Sequence, residues 1–260
     1  MKERTKSIVH PLLLLAALLA LWFVANRYLG VPYYVLPPVE GVLSALYRGY
    51  VQGDFWGDFG FTLASMAIGY LGGCTAAFII GVLFAEYRWL ERLLYPFVLA
   101  LQSMPKVALA PLILVWFGFG LESKAIMVGL VCFFPMFINT AVGLKATDPA
   151  LLDLMRAFSA SRWHILTRIK IPSAASHIFA ALQISVVLGL IGAVVAEFVS
   201  SSKGLGYLIN AATTTLDTST MFAALISLAV LGIAGSQLIR ALHRKLVFWD
   251  RGDAGRTLTE

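Results

Sequence analysis

Gln102, Ser103 and Lys106 flank a proline inside a long apolar run, QSMPKVALAPLILVWFGFG. A lysine and two hydrogen-bonding side chains at membrane depth are costly unless they face a cavity or the protein interior. Pro105 and Pro111 each remove a backbone N–H from the same run, which leaves carbonyl groups free to contact something else. Residues of this kind can hold a polar solute and pass it on. A lysine that snorkels to the nearer interface from a kinked helix fits the same letters. A second polar group at depth is Glu197, in GAVVAEFVSSSKGLGYLI, one turn beyond Ala193 and followed by Ser200, Ser201 and Ser202. Glu197 reads either as a hydrated interfacial carboxylate or as part of the same path. The candidate pathway residues are therefore Gln102, Ser103, Met104, Pro105, Lys106, Ala193 and Glu197.

None of this makes or breaks bonds. His10, His164, His177 and His243 are scattered, and none stands beside a carboxylate in a relay-like pattern. Cys74 and Cys132 fall inside apolar runs without metal-ligand neighbours and read as small packing residues. No nucleophile elbow, phosphate loop or metal signature is present in the sequence. The chain is expected to carry no catalytic residue, no metal and no cofactor.

The elements that must position these residues are membrane helices. The chain is 59% hydrophobic and 13% charged, with a mean hydropathy of +0.82, where a soluble domain is about 25% charged. Its apolar runs approach the ~20 residues that a spanning helix needs and lack the alternation of a membrane barrel. The expected fold is an all-α integral membrane protein. Six spans are predicted, near Ile8–Tyr28, Thr62–Phe84, Tyr95–Phe117, Ala125–Leu144, Ile178–Phe198 and Met221–Leu242. The first is kept as a span because no small-residue cleavage site follows it.

An even number of spans puts both termini on one side. That side collects fifteen basic residues, among them Lys145, Arg156, Arg162, Arg168 and Lys170 in one loop and Arg240, Arg244, Lys245, Arg251 and Arg256 at the end. Lys2, Arg4, Lys6, Arg88 and Arg92 complete the set, against four (Arg27, Arg48, Lys124, Lys203) on the other side. The bias predicts cytoplasmic termini. The net charge of +6 follows from topology and does not point to nucleic acid, since no basic stripe is interleaved with aromatics.

Three further patterns concern packing. Ser65, Gly69, Gly73, Ala77 and Gly81 recur every fourth residue in the second span, a stripe that lets another helix approach closely. Val39, Val42, Leu43 and Leu46 predict one face of a short outer amphipathic helix begun by Pro37-Pro38. Gly204-Leu205-Gly206 with Tyr207, Leu208 and Ile209 predicts a short re-entrant or interfacial segment.

The stretch TDPALLDLMRAFSASRWHILTRIKIP, ending at Pro172, is a polar and basic loop in an otherwise apolar chain. Asp148 and Pro149 form a helix start. Leu151, Leu154, Met155 and Phe158 share one helical face. Ser161 can cap a second helix carrying Trp163, Leu166 and Ile169. Periodicity alone also allows a hairpin lying on lipid.

The loop resembles the "EAA" motif of permease subunits of bacterial ABC importers, E-A-A-x3-G-x9-I-x-L-P. Asp153 stands for the acid, Ser159 for the glycine, and Ile169, Ile171 and Pro172 for the I-x-L-P end, with the motif's spacing at every position. Leu154 and Met155 replace the two alanines. Gln102–Lys124 and Glu197–Ile209 are similar to the nitrate, sulfonate and taurine branch of that family, and the likeness extends over roughly Leu13 to Leu246. The resemblance implies one permease domain over 1–260 with the type I ABC importer (MetI-like) fold, six transmembrane helices and a coupling loop at about 145–172. It implies ATPase contact through Asp153, Leu154, Met155, Arg156, Ala157, Phe158, Ser159, Ala160, Ser161, Arg162 and Trp163. It also implies a homodimer in the bacterial inner membrane and two cytoplasmic ATP-binding subunits, which hold the ATP and magnesium. A periplasmic or lipid-anchored binding protein would deliver solute.

The loop's own physics suits that role. An apolar face can dock, Asp153, Arg156 and Arg162 can set register at the rim, and Pro172 stiffens the return to the next span. The alternative is an ion-coupled secondary transporter, which would show paired intramembrane charges and internal repeats. Members of this branch import sulfonates, taurine, nitrate, bicarbonate, pyrimidine vitamin precursors, aromatic carboxylates and flavins. Lys106 favours an anion among them.

Overall fold

The computed structural model describes residues 2–28 and 30–249. Arg251 and Arg256, counted above among the basic residues, lie outside them, as do the side chains of Lys2, Arg4, Lys6, Arg88 and Ser200. The elements run α1 (Lys2–Tyr28), α2 (Val39–Tyr47), α3 (Trp56–Glu86), α4 (Arg88–Ser103), α5 (Ala110–Phe117) and α6 (Leu121–Lys145). Then come α7 (Pro149–Ala157), α8 (Arg162–Ile165), α9 (Ile171–Ser173), α10 (Ala175–Ser200), α11 (Leu205–Thr214) and α12 (Thr218–Leu246). The described residues contain no strand. The fold is all-α, as composition requires.

α1 covers the expected first span. Four helices among the described residues, α3, α6, α10 and α12, are long and apolar enough to cross a membrane. The expected third span, Tyr95–Phe117, is not one helix. α4 and the segment containing α5 meet at a bend of 87°, and Met104 and Pro105 take extended backbone at the corner. Pro105 ends α4 because it can neither donate nor tolerate a helical predecessor. Pro111 does the opposite of what was expected: it sits in the first turn of α5, where a missing N–H costs nothing.

The core is α6 sandwiched by α3 and α10. The small-residue stripe makes the first of these contacts. A Cβ on Gly73 would stand 2.5 Å from the carbonyl oxygen of Gly129, so only glycine permits that approach. Ser65 and Ala77 are fully buried beside it. Cys74 and Cys132 are free thiols that pack in the same core with Phe137, Ala181 and Ala193. The outer helix α2 turns most of the expected face inward, with Val42 buried and Val39 and Leu46 half-buried, and Leu43 is the exception. Val42 and Ala45 are buried against the Ala223 region of α12, while Leu43 is 60% exposed. The Gly204–Gly206 segment opens α11, a ten-residue helix packed on α12 through Leu205 and Ile209.

Candidate functional site

The polar loop folds as its sequence dictates. Asp148 caps α7, accepting from the Ala150 N–H at 2.9 Å, with Pro149 in the first turn. The helix closes with Ser159 and Ala160 donating back to the Arg156 and Met155 carbonyls at 2.9 and 3.0 Å. That closure requires a left-handed residue, and Ser159 supplies it with φ of 57°, at the motif's glycine position. Ser161 then caps α8 through the His164 N–H at 3.2 Å.

No residue of α7 is buried. Leu154 is 52% exposed, Phe158 74% and Trp163 73%. Arg156 and Asp153 pair with each other at 2.9 Å in the open. The second helix is shorter than predicted: after Ile165 the chain widens into a π turn over Leu166–Lys170. Leu166 is therefore buried against Leu144 and Ala174, while Trp163 points out. The loop thus carries an apolar row that is capped at its helix starts and exposed.

Two ion pairs, which sequence reading missed, fasten this loop. Lys145, at the end of α6, pairs with Glu91 of α4. Lys170, in the π turn, pairs with Glu86 at the end of α3. Both acids sit at the α3–α4 corner, where Tyr87 is extended. Trp249 reaches back to donate to the Pro172 carbonyl at 3.3 Å.

The Gln102–Lys106 corner is open. Gln102, Ser103, Met104 and Pro105 are exposed and Lys106 is half-buried. The Lys106 ammonium lies 4.7 Å from the Phe134 ring centre and donates to the Gln102 carbonyl at 3.1 Å, which answers a carbonyl freed by the break. Ser103 donates to the Ala100 carbonyl at 2.8 Å.

Ala193 and Glu197 are placed differently: both are buried within the chain, Ala193 at 0% exposure and Glu197 at 1%. The Glu197 carboxylate accepts from Thr62 Oγ1 and from the Gly206 N–H, each at 2.8 Å. Thr62 in turn accepts from the Leu205 N–H at 2.8 Å, and Asp58 accepts from the Gly204 N–H at 2.7 Å. A Cβ on Gly204 would strike the Glu197 carboxylate, and its φ of 114° suits glycine alone. Lys124, assigned from sequence to the outer surface, is also buried, and donates to the Phe119 carbonyl at 2.8 Å. A buried acid beside Gly-x-Gly was the available hint: glycines are needed where a side chain fills the Cβ position. Among the described residues no cluster of His, Cys, Asp or Glu could hold a metal.

Residues 73–248 match the family described as binding-protein-dependent transport system inner membrane component. The chain is 35% identical to the riboflavin transport system permease protein of Chloroflexus aurantiacus, across 91% of this chain and 88% of that one. It is 30% identical to the formylaminopyrimidine transport permease protein of Halalkalibacterium halodurans, across 95% and 98%. It is 32% identical to the putative aliphatic sulfonates transport permease protein of Bacillus subtilis, across 92% and 86%. Its fold is similar to that of a chain in the inward-facing MetNI methionine ABC transporter, with a TM-score of 0.58 at 18% identity, over 71% of this chain and 94% of the other.

Proposed function

Given that the chain belongs to the family of binding-protein-dependent transport system inner membrane components, we propose that it is the translocation subunit of an ATP-driven importer and couples to its ATPase through α7–α8. As a permease subunit it is a multi-pass membrane component and not an enzyme. We read the working form as two copies of this chain, two cytoplasmic ATP-binding subunits beneath them, and a binding protein on the opposite face. ATP and magnesium belong to the ATP-binding subunits. In this reading the loop and both termini lie on the cytoplasmic side of the bacterial inner membrane, the side favoured by the bias of basic residues.

The exposed row Leu154, Phe158 and Trp163 on a capped loop carries this reading. Apolar side chains so exposed beside a tethered helix fit a protein groove, with Asp153, Arg156 and Arg162 at its rim. Rigid attachment at both ends lets a displaced loop tilt the helices it joins.

The solute reading follows the relatives, which are named for riboflavin, a formylaminopyrimidine and aliphatic sulfonates. We infer a small organic solute, with an anion favoured by Lys106 at the open corner. The candidate route runs past Gln102–Lys106. Ala193 and Glu197 can only join it if the helices around them part.

Co-purification tests the coupling. Phe158→Asp and Met155→Asp put a charge where docking must desolvate it, and should lose the ATPase while the permease stays folded. Retention of the ATPase and of transport in both variants would overturn the assignment.

A further inference from the structure

α12 carries a groove on each side, and the two differ in chemistry. Toward α3 the lining includes Leu63, Met66 and Leu238, and no charged residue borders it. Toward α10 a groove of about 390 Å³ runs past Val187, Leu190 and Ile233, with the small residues Ala229 and Gly232 on the α12 side. Its far end is formed by Ser236, Gln237 and Arg240, which share one face of the helix at i, i+1 and i+4. That end is the loop end, because α12 finishes at Leu246 and Trp249 just beyond it bonds the Pro172 carbonyl.

Arg240 stands about 9 Å short of the end of α12, with exposed Arg244 and Lys245 in the turn beyond. Both α10 and α12 are long and apolar enough to cross a membrane, so the groove reaches from hydrocarbon depth to its boundary. Ser236, Gln237 and Arg240 make no hydrogen bond or ion pair with another described residue. The acids at this end are engaged elsewhere: Glu86 with Lys170, Glu91 with Lys145, Asp153 with Arg156, and Asp148 in the cap of α7. A guanidinium, an amide and a hydroxyl together offer a set of donors. A cation near the hydrocarbon boundary calls for an anion, and the described residues supply none.

We propose that the α10–α12 groove binds an anionic phospholipid, with one acyl chain along Val187, Leu190 and Ile233 and the phosphate on Ser236, Gln237 and Arg240. Val187, Ala229, Ile233 and Arg240 are exposed, so the groove opens sideways from helices at membrane depth, where lipid is the surrounding solvent. Its chemistry, apolar and then cationic toward the loop end, follows the order in which a lipid presents chain and phosphate. A zwitterionic headgroup would bring its ammonium against Arg244 and Lys245, so a net negative headgroup is preferred. The site needs only that the chain lies in a bilayer, and its failure would leave the importer reading standing.

The test reconstitutes the full-length chain into vesicles of phosphatidylcholine and phosphatidylglycerol, one or the other carrying a photoreactive diazirine in its acyl chain. Mass spectrometry then maps the labelled peptides. In the wild type, residues 187–190 and 229–233 should be labelled more strongly by the phosphatidylglycerol probe. Arg240→Gln should lower that labelling about fivefold, the factor that one basic residue contributes near an anionic surface, and leave the phosphatidylcholine labelling unchanged. Arg240→Lys should retain most of the preference. Ala229→Trp, which fills the groove, should lower labelling by both probes. Residues 63–67, on the other groove, are the control and should not respond. Equal labelling by the two probes, or no response to Arg240→Gln, would overturn the proposal. So would protection of 187–190 and 229–233 from both probes, which would put a second copy of the chain in the groove. Displacement of the phosphatidylglycerol probe by free glycerol phosphate would make the site one for a soluble anion, and would overturn it too.

Discussion

The two ends of the helix bundle handle polar groups in opposite ways. At one end Glu197, Thr62 and Lys124 are buried and Asp58 is half-buried beside them, and backbone N–H groups from Gly204–Gly206 complete the set. At the other, α7 and α8 leave Leu154, Phe158 and Trp163 in the open, while caps and ion pairs satisfy the polar groups around them. The first arrangement is closed, because a half-satisfied buried network would cost more than an apolar core. The second leaves apolar side chains uncovered, as the proposed docking role needs. On the proposed reading, stability is concentrated at the Glu197 end and the helix core, and recognition at the loop.

Substitutions that respect this division should separate folding from coupling. The largest effect is expected in the core that joins the two ends. Gly73→Leu forces α3 off the Gly129 backbone of α6, which cannot move as a side chain can. A loss above about 3 kcal/mol is expected, seen as aggregation on size exclusion after detergent extraction. A normal elution profile would mean that the stripe is not a structural contact.

Glu197→Ala comes next. It strips the acceptor from Thr62 and from the Gly206 N–H, at about 1–3 kcal/mol for each buried group left unsatisfied. Thermal melting of the purified protein should fall clearly, and Glu197→Gln should fall less because one acceptor oxygen remains. Equal melting for the wild type and Glu197→Ala would remove the closed end from the comparison.

At the loop, effects on stability should be small and of either sign. Ser159→Gly relieves a left-handed serine, with φ of 57°, and should stabilise by about 1 kcal/mol. If its melting temperature falls, the serine hydroxyl contributes something that the backbone does not reveal. Arg156→Ala is the smallest expected change. Its pair with Asp153 lies in the open, so about 0.3 kcal/mol or less is at stake. A measurable drop in melting would mean that the loop packs where the structure leaves it exposed.

The loop was legible in the sequence because its determinants are local. The Asp148 and Ser161 caps each act within three residues, and the apolar face of α7 repeats every turn. The stripe on α3 was legible for the same reason. Glu197 was half legible. Its acid and its glycines stand together in the chain, but Thr62 is 135 residues away, and no local pattern marks a partner at that distance. Glu86–Lys170 and Glu91–Lys145 were hidden likewise, at separations of 84 and 54 residues. Pro105 announced a break, yet a proline sets no bend angle; packing does. Leu43 misled because one apolar residue at the edge of a helical face can fall on either side of it; Val42, Ala45 and Leu46 turn inward and Leu43 does not.

Labelling from the two sides of the membrane tests the division most directly. Phe158→Cys and Asp54→Cys, each in a background lacking Cys74 and Cys132, place thiols at the two ends of the bundle, both at exposed positions. Phe158→Cys should react with an impermeant reagent only in inside-out vesicles, and should become protected when the partner ATPase is added back. Asp54→Cys should react only from the other side, at a rate that the ATPase does not change. Reaction of Phe158→Cys from the outer side, or full reactivity with the ATPase bound, would contradict the assignment of the loop end as the docking surface.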